Sequence, residues 1–238
     1  MTNAIEVKRT YEDGKWRSTA DALVMVVILG SIWGFLEATL GGFLHLAHFP
    51  YKGAIMGGIG MSIMATFIAT HRRPSLVIGV AFVAALFKTL SALIYGQSIF
   101  AQFVVNPATA IILEGLAFGL VAYFLFNGFE RSIKVRAGAG LLVGYISIIS
   151  WGIVASTIGL GNWAVMDFQG KVSYALVNGT ALAIVGVLLL PLGYMIGTKL
   201  WPGLSELRNM RPKFFYTSTV VVSIFCWASA GFAFAMGL

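Results

Sequence analysis

Charge is scarce in this chain: 11% of its 238 residues are Asp, Glu, Lys or Arg, against about 25% in an ordinary soluble domain. Apolar residues make up 58%, and they gather in long runs, not in the narrow stripes of a soluble amphipathic helix. No segments alternate apolar with polar over the length of a barrel strand, which argues against a transmembrane β-barrel. Cysteine is nearly absent. Cys226 stands alone, so no intrachain disulfide forms and a multi-cysteine metal cage is excluded. No Gly-x4-Gly-Lys-Ser/Thr loop is present, so this chain is not an ATPase. No His-Glu-x2-His or Gly-x-Ser-x-Gly appears, which leaves zinc-protease and hydrolase chemistry without support. No Arg-rich helix points to a voltage sensor, and no mid-membrane histidine pair points to a b-type haem.

What remains is seven apolar runs, each near the ~20 residues needed to cross a bilayer. They cover about residues 22–44, 53–70, 76–95, 107–126, 139–160, 174–200 and 215–236. The expected fold is an all-α integral membrane protein, a bundle of six to seven transmembrane helices. Residues 1–20 are too polar for the apolar core of a signal peptide and read as a hydrophilic tail. Residues 21–213 read as a six-helix membrane core and 214–238 as an additional C-terminal helix. Pro107 is expected at the first turn of the fourth helix, and Pro191 is expected to kink the sixth.

The net charge of +7 reflects loop placement, and no nucleic-acid partner is implied. Lys8, Arg9, Lys15, Arg17, Arg72, Arg73, Arg131, Lys134, Arg136, Lys199, Arg208, Arg211 and Lys213 fall on one set of alternate loops. Only Lys52 and Lys171 fall on the other. Basic loops stay in the cytoplasm. The expectation is a multi-pass protein of the cell (inner) membrane, with the N-terminus cytoplasmic and the C-terminus external.

Three charges lie inside apolar runs: Glu37, Lys88 and Glu114. At ~1.5 Å of rise per residue, each sits roughly 10–12 Å from the outer end of its helix. A charge in hydrocarbon is costly unless paired, hydrated or neutralised, so three at one depth point to a polar site. Their formal sum is −1, and a closed site of that charge takes up a proton or a cation. The plainer reading is a Lys–Glu bridge that locks helix packing. Gln102 and Asn106 precede the fourth helix, Asn162, Trp163 and Tyr174 join the fifth to the sixth, and Asn178 lies one turn inside. Amides and aromatics of this kind hold small organic molecules. The expected binding residues are therefore Glu37, Lys88, Gln102, Asn106, Glu114, Trp163, Tyr174 and Asn178. Loops 96–106 and 161–173 are candidate lids. His45 and His48, three apart at the end of the first helix, form a weak candidate metal pair.

Gly30, Gly34, Ala38 and Gly42 recur every fourth residue and make a smooth stripe. Such a stripe serves close internal packing or a partner's docking. Phe35-Leu36-Glu37-Ala38 and Ile112-Leu113-Glu114-Gly115 echo one another, a faint sign of an inverted repeat.

The first four helices resemble the substrate-binding S-components of energy-coupling factor transporters. The resemblance rests on the Gly30/Gly34/Ala38 stripe and Leu36-Glu37-Ala38. It also rests on His48-Phe49-Pro50 leading into the glycines from Gly53 to Gly60, the Arg72-Arg73-Pro74 turn, Lys88 and Leu113-Glu114-Gly115. It covers roughly half the chain. It implies a six-helix bundle that captures a vitamin, precursor or metal from outside. It further implies association with a transmembrane coupling subunit and ATPases in trans, docked on Gly30, Gly34 and Ala38. Two features depart from the pattern: a seventh helix, and a start of Met1-Thr2-Asn3 where metal-transporting members carry Met-His. The second departure favours an organic solute. The resulting expectation is a substrate-capture subunit, not an enzyme, with no cofactor. The alternative is a structural or anchoring subunit of a larger membrane complex.

Overall fold

The computed structural model describes residues 19–160, 163 and 165–238. The basic residues Lys8 to Arg17 and the loop residue Asn162 lie outside the described residues.

Among the described residues seven helices are long and apolar enough to cross a membrane, and no strand occurs. The chain is an all-α membrane bundle. The first span is Thr19–Leu46, the second Lys52–His71 and the third Val77–Ile94, entered through the 3-10 turn Pro74–Leu76. The fourth is Gln102–Phe124, the fifth Ile133–Ile158, the sixth Phe168–Met210 and the seventh Pro212–Ala235. A short helix, Phe126–Arg131, joins the fourth span to the fifth.

Helix ends follow local chemistry. Ser132 caps the fifth span through its side chain to the Val135 amide, and Asp167 caps the sixth by accepting from Gly170 at 2.8 Å. Arg72 ends the second span in a left-handed conformation and Gly159 ends the fifth the same way. Two boundaries differ from the sequence reading. The fourth span begins at Gln102, not Pro107, so Pro107 lies inside the helix. Near a helix start, the missing proline N–H sacrifices a single hydrogen bond. The sixth span runs unbroken through Pro191 and Pro202 for 43 residues, longer than a bilayer requires.

The spans close into a ring. The first contacts the third, the third the fourth, the fourth the fifth, the fifth the sixth, the sixth the second, and the second the first. The seventh packs on the first and also meets the third and sixth. Outward faces carry apolar side chains such as Leu120, Ile153, Leu188 and Phe225, all exposed, as a lipid-facing surface requires.

Glycine sets the closest approaches. Gly140 and Gly186 face each other backbone to backbone where the fifth and sixth spans cross. Gly193 lies against the Ser62 carbonyl, and there Thr66 Oγ1 donates to the Gly193 carbonyl at 2.9 Å. Small residues replace side-chain bulk with backbone contact, the usual basis of helix association in lipid.

The stripe on the first span belongs to the same scheme. Gly30 abuts Val83 and the Val80 carbonyl, Gly34 abuts the Phe87 ring, and Ala38 is buried beside Phe87, Cys226 and Phe234. Gly30, Gly34 and Ala38, expected as a partner-docking face, are therefore packed inside the bundle in this chain. The first and third spans pack through these positions, and side-chain bulk from the third span fills the space the glycines leave.

At the opposite end of the bundle, Asp21 is buried. It accepts from Arg208 Nη1 at 2.6 Å and from the Tyr216 hydroxyl at 2.7 Å. This contact ties the first span to the sixth and seventh.

Candidate functional site

A cavity of about 650 Å3 opens inside the ring near the His45 end of the first span. That volume lies within the ~300–1,000 Å3 typical of small-molecule sites. All seven spans line it, the second through Lys52, Met56 and Gly57 among others.

The floor carries the intramembrane charges. Lys88 Nζ stands 3.6 Å from Glu37 Oε2, with side-chain exposures of 15% and 12%. This is an ion pair across the first and third spans, too long for a strong hydrogen bond. Glu114 lines the same cavity from the fourth span. A methyl group at Gly57 would stand 2.8 Å from Glu114 Oε1 and 2.7 Å from Leu182 Cδ1. The bare backbone at Gly57 thus makes room for the carboxyl at the level of Leu182. Among the described residues Glu114 makes no hydrogen bond and no ion pair.

The upper tier is aromatic and amide-rich. Trp151 and Tyr174 line the cavity, their ring centroids 5.9 Å apart and tilted by 30°. Trp163 packs edge-on against both, at 5.3 and 5.5 Å. It fills the space beside Gly152 and is not among the lining residues. Trp163, expected among the binding residues, instead backs the aromatic pair. Gln102, Asn106 and Asn178 line the wall, and Asn178 Nδ2 donates to the Tyr174 carbonyl at 3.1 Å. Tyr174, Asn178 and Leu182 recur every fourth residue, so they share one face of the sixth span. From Tyr174 down to Leu182 the helix rises about 12 Å. The aromatic tier thus stands roughly that far above the level of Glu114.

At the rim, Lys52 Nζ donates to His45 Nδ1 at 2.6 Å. His48 takes a positive φ of 53° in the turn beyond, and it does not line the cavity. Among the described residues no three His, Cys, Asp or Glu side chains gather as a metal site. The candidate pair His45 and His48 therefore lacks further ligands, and His45 is engaged by a lysine. The seventh span closes another side: Phe234, Gly237 and Leu238 line the cavity, and the Tyr95 hydroxyl donates to the Leu238 main-chain oxygen at 3.2 Å.

Seven expected residues thus meet at one cavity: Glu37, Lys88, Gln102, Asn106, Glu114, Tyr174 and Asn178. The sequence reading missed Lys52, Tyr95, Ser147 and Trp151. Ser147 and Trp151 are four apart on the fifth span, a spacing that puts both on one face. That spacing was visible in the sequence but lay inside an apolar run. Ser147 Oγ and Trp151 Nε1 are buried without hydrogen-bond partners among the described residues, a costly condition. No family model matches this chain, and neither does any curated protein or solved structure.

Proposed function

We propose that this protein is the membrane-embedded substrate-capture subunit of a transporter, taking a small organic solute from outside. The observation that carries this reading is the cavity itself. It is of small-molecule size, holds an unpartnered carboxyl and a Lys–Glu pair, and is walled by amides and aromatics. Sites of this make-up bind organic solutes with a few placed polar groups among apolar ones. Alternate-loop basic residues support a cytoplasmic N-terminus, and the cavity end then faces outward. The chain has no phosphate-binding loop, so energised uptake would draw on ATPases and a coupling subunit in trans. Such a partner would dock on a lipid-facing surface, because the Gly30/Gly34/Ala38 stripe is occupied.

The alternative, an anchoring subunit, draws support from the ties Glu37–Lys88 and Asp21–Arg208 between spans. Helix locking accounts for those pairs but not for the cavity or for Glu114. The test is to purify the full chain alone from its membrane and identify the small molecules released on denaturation. One solute at near-stoichiometric yield is expected. Truncating Asn106 to Ala should weaken its rebinding by about 1–3 kcal/mol. A protein that is folded and carries nothing, and binds nothing from a cell extract, favours the anchoring subunit.

A further inference from the structure

We propose that the captured solute bears a cationic amine at its inner end and a flat unsaturated ring at its outer end, with Glu114 receiving the amine. This deepens the capture reading and rests on it. Glu37 and Lys88 neutralise each other at 3.6 Å. Glu114 shares the cavity with them and has no hydrogen bond or ion pair among the described residues. The cavity holds two carboxyls and two ammonium groups, but Lys88 is taken by Glu37 and Lys52 by His45, so Glu114 is the carboxyl left to receive a positive charge. A carboxyl withdrawn from water gains most from a charge-assisted hydrogen bond.

The surroundings of Glu114 choose between kinds of cation. A hard metal ion needs several oxygen ligands, and no cluster of three acidic, histidine or cysteine side chains is present among the described residues. Beside Glu114 stand apolar groups: Leu182 at its level and Ile111 three residues earlier on the same helix face. An organic ammonium needs few hydrogen bonds and brings an apolar stem, which those side chains cover. Above, the tilted pair Trp151 and Tyr174, buttressed by Trp163, presents aromatic surface to the cavity. The tiers are separated by the eight residues from Tyr174 to Leu182, about 12 Å of helical rise. Side chains reaching in from both levels shorten this gap to the length of a ring with a short chain. An anion at the floor would meet Glu37 and Glu114 as well as Lys88, so the rim beside Lys52 suits an anion better.

The probes are 4-phenylbutylamine, 4-phenylbutanol and 4-phenylbutyrate, which share one ring and chain and end in a cation, a neutral group and an anion. Their binding is measured by calorimetry on the full chain in lipid nanodiscs, beside Glu114→Gln and Trp151→Leu. The amine should bind about tenfold or more tighter than the alcohol, as a charge-assisted hydrogen bond implies, and the acid should bind most weakly. Glu114→Gln should erase the amine's advantage over the alcohol. Trp151→Leu should weaken all three alike. Thermal unfolding of each variant confirms that it is folded. If Glu114→Gln does not fold, Glu114→Asp replaces it and should weaken the amine alone. An unchanged ranking in a folded Glu114 variant, or tightest binding by the acid, overturns the inference and leaves capture standing. The inference alone also fails if no probe binds a protein that carries a co-purified solute. If no probe binds and no solute is found, both fail.

Discussion

Glu37 and Lys88 show how one pair serves two ends. Each side chain is largely withdrawn from solvent, and each would be costly alone in the membrane. Together they lock the first span to the third and leave Glu114 as the floor's unsatisfied group. Removing one partner should therefore harm the fold more than removing both. Lys88→Met should destabilise by about 2–3 kcal/mol, below the figure for a fully buried pair because both side chains keep some exposure. Adding Glu37→Gln should recover most of that loss. Unfolding midpoints of the two singles and the double give the coupling directly. A loss in the double equal to the sum of the two single losses would show that the two charges do not interact. The three intramembrane charges were legible in the sequence because each interrupts an apolar run. Trp151 was not, because an aromatic side chain in an apolar run looks the same whether it faces lipid, core or cavity.

The spans were legible from length and hydropathy, and their ends less so. Gln102 and Asn106 read as loop because Pro107 reads as a helix start, yet Ala101 takes the extended N-cap conformation and the helix begins there. The consequence is functional. On a helix, Gln102 and Asn106 are four apart and share a face, which turns both to the cavity. The small-residue stripe teaches the reverse lesson. Four-residue spacing fixes which positions share a face, but not what covers that face. Here the third span covers it, with Val83 and Phe87 packed into the space above Gly30 and Gly34. Gly34→Leu should then separate the first and third spans, lowering thermal stability and pulling apart Glu37 and Lys88. A Gly34→Leu protein with wild-type unfolding behaviour would place the stripe on an outer face after all. The same substitution tests the family resemblance, whose docking residues these positions would be.

On the scale of the whole molecule, a ring of six spans with a seventh leaning on it encloses a polar cavity near one end. At the other end Asp21, Arg208 and Tyr216 tie the first span to the sixth and seventh. The seventh span is more than an addition in one respect: its last turn supplies Phe234 and the residues after it to the cavity wall. No sequence pattern announced that contact, because it depends on how the seventh span leans against the first. A molecule open at one end and tied at the other suits capture from a single side of the membrane. The most direct test labels the cavity from outside. In a Cys226→Ala background, Asn106→Cys or Asn178→Cys is exposed in intact cells to a membrane-impermeant thiol reagent. Both positions should label from outside. In the purified protein, labelling should slow when the small-molecule fraction released from the wild-type chain is restored. Failure to label from outside, or labelling indifferent to that fraction, would contradict an outward-facing solute site.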